Sequence, residues 1–410
     1  MKKKELQQLY HFTNGSRLVY QNNIGKVSHV CVVINTGCRD ELPDQQGYAH
    51  FIEHLLFKGT AKRSTLQVIS GLEDVGGELN AYTTKEYTVL YAVCLNEHVE
   101  LAFDLICDIL FNSRLPEEEI KKEREIIIDE INSYLDSPSE LIYDDFESLL
   151  FFGNSMGHNI LGEEDILKKA KQKSLKHFYT NNYNTSNMVF AYYGSVSNSS
   201  IEKIANKFIA TTNSNKKENS RIEPLQLPVF DRKIKKDTNQ VHCILGSRAY
   251  SLVHNHQEAL TLLNNILGGP AANSILNLSV REKKGYTYTI DSQYNAYTDT
   301  GVFSIYFGTQ KQYLDECLEI IYKESLKLCT NKLSLARLDR AKKQMLGQVI
   351  IARENAEYLC QTIAKSYLFY NEYADMTDVE ARIEKITAME LLDVANEIIH
   401  PKHCSKLLYY

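Results

Sequence analysis

The 410-residue chain reads as an α+β protein of two duplicated domains, each a mainly antiparallel sheet with helices packed on one face. Two observations carry this reading, and a third divides the chain. Runs rich in β-branched and aromatic residues, closed by turn residues, are interspersed with stretches of 3.6-residue periodicity. The two halves resemble each other in order: NAYTTKEYTVLYAV from Asn80 matches NAYTDTGVFSIYFG from Asn295, and LPEEEIKKEREIIIDEI from Leu115 matches LSLARLDRAKKQMLGQVI from Leu333. The offsets, 215 and 218, are nearly equal, as a duplication requires. Between the halves, TTNSNKKENSRIEPLQLPVFDRKIKKDTN is polar, carries two of seven prolines and has no period, so it reads as a connector. The expected division is therefore a domain at 1–211, a linker at 212–239 with KIKK (233–236) as a solvated face, and a second domain at 240–410.

The elements follow in order. SHVCVVINTG from Ser28, TVLYAVCL from Thr88, NMVFAYYGSV from Asn187, QVHCILGSRAY from Gln240 and GVFSIYFGT from Gly301 are strands. HVELAFDLICDILF from His98, PEEEIKKEREIIIDEINSYL from Pro116, HQEALTLLNNIL from His256 and LDECLEIIYKESLKLC from Leu314 are helices. Pro116 followed by three glutamates is a strong helix start.

Composition narrows the function. The formal charge is 46 − 52 = −6, so a polyanion such as nucleic acid is a poor partner. The nine cysteines are odd in number, scattered and without a CxxC, which fits a reducing compartment and small-hydrophobe roles. MKKKELQQLYHF has neither the apolar stretch of a signal peptide nor an amphipathic presequence, and nowhere do 18 apolar residues run together. The expectation is a cytoplasmic protein without membrane contact.

The informative segment is GYAHFIEHLLFKGT, residues 47–60. His50, Glu53 and His54 stand at i, i+3 and i+4, on one face of a helix. Two imidazoles one turn apart can bind one zinc ion, and the glutamate between them can reach a water held there, the inverse of HExxH. Chance gives HxxEH fewer than about 0.05 times in such a chain. A catalytic zinc needs a third protein ligand. EREIIIDEI supplies Glu123 and Glu130, two turns apart on one helix face, either of them the ligand and the other an orienting partner.

With these motifs the chain resembles the pitrilysin, insulysin and mitochondrial processing peptidase metallopeptidases over essentially its whole length, in their half-length branch. HFIEH matches the family's zinc motif, and Glu130, 76 residues after His54, stands where the family places its third ligand. The resemblance makes Glu123 the partner that orients a ligand histidine, GGELNAYTTKEYT an active-site edge strand that binds substrate through Asn80, Ala81 and Tyr82, and LGGPAANS (267–274) a glycine-rich loop. REKKGYTY supplies Arg281 and Tyr288, similar to a pair that reaches substrate from the other domain. In the second half Thr261, Asn264, Asn265 and Gln348 align with the site residues, so only the first half can hold metal.

The expected function is a zinc endopeptidase, one Zn²⁺ per chain, cutting short or unfolded peptides in a closed chamber. Glu53 would be general base toward water activated by the metal, Tyr288 would donate to the oxyanion, and Arg281 would bind a substrate carbonyl. A homodimer is expected, a heterodimer being the other arrangement, and a noncatalytic scaffold or partner subunit is the alternative function. His158 reads as a packing or surface residue, and His254 and His256 as helix caps. Gly268–Gly269 reads as a turn.

Overall fold

The computed structural model describes residues 7–210, 212 and 220–410, so positions 211 and 213–219, at the expected boundary and in the expected linker, lie outside the description. Two compact units are present, each with its own sheet.

Unit 1 combines the stretch up to Asn132 with His158–Arg221 and Ala352–Tyr373. Its strands are β1 (Gln7–His11), β2 (Arg17–Asn22), β3 (Val27–Ile34), β4 (Glu78–Thr83), β5 (Thr88–Leu95) and β6 (Met188–Gly194), in the order β1-β2-β6-β3-β5-β4. Among these described strands, only β2 and β6 pair in parallel. Helices α1 (Tyr48–Leu56), α2 (Thr65–Glu73) and α3 (Val99–Asn112) contribute to the core on one face of this sheet. A fourth, α4 (Glu117–Leu135), adds Ile120 and Ile127 to the same core.

The opposite face is also covered. Val30, Val32 and Ile34 of β3 enter the first core, while Cys31 and Val33 enter a second, closed by Leu359, Cys360, Ile363 and Ala364 of the helix Ala356–Phe369. A strand buried on both sides cannot alternate, which is why VCVVI is an unbroken apolar run.

Unit 2 combines Ser133–Gly157, Ile222–Ile351 and Ala374–Tyr410. Its strands are β7 (Asp231–Ile234), β8 (Val241–Ala249), β9 (Thr287–Ala296), β10 (Gly301–Thr309) and β11 (Ser405–Tyr409), in the order β7-β11-β8-β10-β9, with β7 and β11 parallel. Apart from β1 this repeats the order of unit 1, as the duplicated segments imply. The helices Gln257–Leu267 and Leu314–Thr330 pack on one face, and α5 (Pro138–Leu150) on the other, through Leu141, Ile142 and Phe146.

The compact units therefore differ from the continuous domains expected at 1–211 and 240–410. The helix that follows α4 belongs to unit 2, and its counterpart after the long helix Leu335–Arg353 belongs to unit 1. The expected linker also contains a strand, because DRKI pairs its backbone with β11 and Asp231 pairs with Lys406 Nζ at 3.0 Å.

Candidate metal centre

The geometry begins with how α1 is started. Gly47 has φ +90°, and a Cβ there would stand 2.7 Å from the Leu161 carbonyl oxygen, so only glycine fits. No Ser or Asp caps the helix. The buried Glu41 carboxylate instead accepts from the N–H groups of Gly47 at 2.9 Å and Ala49 at 2.7 Å. Phe51, Ile52, Leu55 and Leu56 anchor the helix in the core, which directs the other side of the helix toward α4.

Three ligand atoms converge there. His50 Nε2 and His54 Nε2 each lie 3.8 Å from Glu130 Oε2, and one atom from each of the three residues falls within 4.8 Å of the others. Tetrahedral zinc with bonds of about 2.0–2.1 Å sets its ligand atoms about 3.4 Å apart, close to the two 3.8 Å separations from Glu130. Burial, with repulsion from His54 second, pushes the His50 ring down to about 3, so the ring is neutral near pH 7 and carries a lone pair, as a metal ligand must. Two imidazoles and a carboxylate are a donor set that suits zinc. The residues present fit that ion.

Glu53 stands beside them, and burial raises its carboxyl above the ordinary carboxylate value, against the lowering influence of Thr83. Thr83 Oγ1, at the end of β4, donates to Glu53 Oε2 at 2.5 Å. Sequence reasoning missed Thr83, since nothing in its local pattern points to α1. Glu123 is buried, and its Oε2 lies 3.1 Å from His54 Nδ1.

The edge-strand residues divide by face. Leu79 and Ala81 pack on the α1 side, Asn80 is exposed, and Tyr82 turns to the opposite face, where its hydroxyl donates to Gln361 Oε1 at 2.8 Å. Only the outer backbone edge of β4 is offered in common. Arg281 and Tyr288 belong to unit 2: Arg281 is half-exposed and donates weakly to Asn277 Oδ1 at 3.4 Å, and Tyr288 is 85% exposed on β9.

The lesser residues have structural places. The His158 ring is half-buried, and its carbonyl accepts from Lys85 Nζ at 3.0 Å. His256 stands at the N-cap of Gln257–Leu267 but spends its ring on Glu390 at 2.9 Å, and His254 stacks on Tyr250. Gly268 ends that helix, its N–H donating to the Asn264 carbonyl. All nine cysteines are free thiols, eight of them buried. No described helix is long and apolar enough to cross a membrane.

Comparison with known proteins identifies the family. Residues 17–164 match the family described as insulinase (peptidase family M16), and residues 169–345 the M16 inactive domain. The chain is 29% identical over 404 residues to a protein of Bacillus subtilis named as an uncharacterized zinc protease, covering 97% of each. It is 31% identical to one of Streptomyces coelicolor with the same kind of name, covering 89% of this chain and 81% of the other. It is 27% identical to the mitochondrial-processing peptidase subunit beta of Caenorhabditis elegans, over 94% and 85% of the two chains. The crystal structure of a Helicobacter pylori protease superposes with a TM-score of 0.91 at 21% identity, covering 98% of this chain and 99% of that one, and so shares the fold. A two-sheet architecture, a converging His50–His54–Glu130 set and relatives named as zinc proteases together lead to one conclusion: the chain belongs to the insulinase-type M16 peptidase family.

Proposed function

We propose that this protein is a zinc endopeptidase acting on short or unfolded peptides, with His50, His54 and Glu130 holding the ion and Glu53 serving as general base. The observation that carries the reading is the convergence of the three ligand atoms beside a carboxylate fixed by Thr83. Zinc held there would supply Lewis-acid polarisation of a peptide carbonyl and acidify water. Glu53, held by Thr83, takes a proton from water and returns it to the leaving amine nitrogen. The raised carboxyl suits a group that must first accept and then donate. The free edge of β4 takes an extended peptide as an added strand, reading backbone more than side chains. Tyr288 is assigned the proton donated to the developing oxyanion, and Arg281 the binding of a substrate carbonyl. The protein works as a homodimer in the cytoplasm.

The test compares wild type with Glu53→Gln on a mixed set of 10–30-residue peptides, read by mass spectrometry, with zinc content measured alongside. Both proteins bind zinc and only wild type cleaves. Equal cleavage by both removes Glu53 from the mechanism, and zinc-loaded wild type that cuts nothing favours the scaffold function. Tyr288→Phe lowers kcat without changing zinc content, and light scattering reads the dimer.

A further inference from the structure

The two histidines of α1 reach the same point but are held differently. The Glu123 carboxylate accepts from His54 Nδ1, so the proton sits on that nitrogen and the Nε2 lone pair faces Glu130. His50 Nδ1 is buried with no hydrogen-bond partner. The orientation of the pair therefore depends on one side chain of α4. That side chain is itself held from one side: Glu123 Oε1 lies 2.9 Å from Lys58 Nζ. Lys58 follows His54 by four residues, just beyond the end of α1, and its N–H donates to the Leu55 carbonyl at 3.1 Å. The Glu123 side chain is 4% exposed and that of Lys58 22%. The nearby Lys122 is paired with Glu119 at 2.6 Å and is solvent-exposed.

We propose that Lys58 is a positioning residue of the metal centre, its ammonium fixing the Glu123 carboxylate so that Glu123 holds the His54 ring in its metal-binding orientation. The inference rests on the zinc reading above. A buried carboxylate needs its second oxygen satisfied, and a cation supplies more than a neutral donor. Without Lys58 the carboxylate turns toward solvent to recover hydration, and the His54 ring loses the acceptor that sets its tautomer and angle. Outer-shell partners of this kind change metal affinity about 10–100-fold when removed.

The readout is zinc affinity, by competition with a chelating dye, and the visible spectrum of the Co²⁺-substituted protein. Wild type, Lys58→Met, Lys58→Gln, Lys58→Arg, Glu123→Gln and the Lys58→Met/Glu123→Gln double variant are compared, with thermal unfolding of each metal-free form. Lys58→Met and Lys58→Gln bind zinc about 10–100-fold more weakly and alter the Co²⁺ bands, and Lys58→Arg recovers most of the affinity. The double variant binds no more weakly than Glu123→Gln alone, because Lys58 acts only through Glu123. The proposal falls if both neutral variants keep wild-type zinc affinity, if metal-free unfolding drops while affinity does not, or if the losses of the single variants add in the double. Wild type that binds no zinc is a different failure, since it removes the metal centre itself.

Discussion

Removing the helix Ala356–Phe369 from unit 1 should cost most of that unit's stability, although the helix lies more than 130 residues beyond the rest of the unit. A fragment of residues 1–221 contains every described strand of the first sheet and all three proposed metal ligands, and would be the natural choice for an isolated domain. It lacks Leu359, Cys360, Ile363 and Ala364, all at most 7% exposed, and it uncovers Val19, Cys31, Val33, Val89 and Val189. Counting about 2 kcal/mol for each of Leu359 and Ile363, and about 1.5 for each of the four valines, gives about 10 kcal/mol, an upper figure. Native domains hold only about 5–15 kcal/mol in total. The fragment is therefore expected to show slow-exchanging amides nowhere on β3 and no cooperative urea transition. Adding a peptide of residues 352–373 should restore both. A fragment that alone unfolds with the midpoint of the whole chain would refute the reasoning.

Other outcomes follow from single contacts. Thr83→Val removes a hydrogen bond to a charged acceptor and should lower kcat about 10–100-fold with KM little changed, whereas Thr83→Ser keeps the rate. Gly47→Ala forces φ +90° on a residue with a Cβ and drives that atom against the Leu161 carbonyl, so urea titration should show a loss of about 2–4 kcal/mol. Burial alone would raise the Asp108 carboxyl, but hydrogen bonds from Thr60, Arg63 and Asn112 outweigh it and hold the group below its ordinary 3.8. Its folded pKa is thus depressed, and the stability it contributes is present above pH 3.8 and lost as pH falls through the folded value. Asp108→Asn should cost about 3 kcal/mol at pH 7, and the gap from wild type should narrow below pH 3.8; a gap independent of pH would contradict this. Chelation should abolish cleavage and lower the melting temperature of wild type, but leave that of His54→Ala unchanged.

The parts of this protein legible in its sequence are those whose signal is local. His50, Glu53 and His54 share one helical turn, and the two sheets announce themselves through runs such as TVLYAVCL. Glu130 and Glu123 could be placed on one face by spacing, but which was ligand came from resemblance. Thr83 and Lys58 escaped because each acts across a tertiary contact between separate elements, and Glu41 because it caps α1 from outside the usual N-cap position. The helix exchange escaped for a related reason: periodicity shows that Ala356–Phe369 has an apolar face, not which sheet it meets. One clue was present, since the unbroken apolar run VCVVI of β3 requires cover on both faces.

The outermost place of β4 in its sheet has a consequence for the protein in concentrated solution. An unpaired strand margin is adhesive toward any extended chain, and proteins usually blunt it with proline, lysine or a bulge. ELNAYT has none of these, only Glu78 as a charge. On the proposed function, the margin that takes a peptide takes a strand of another copy equally well. Crowded molecules become competitive inhibitors of one another, and specific activity should fall with protein concentration while each molecule stays folded.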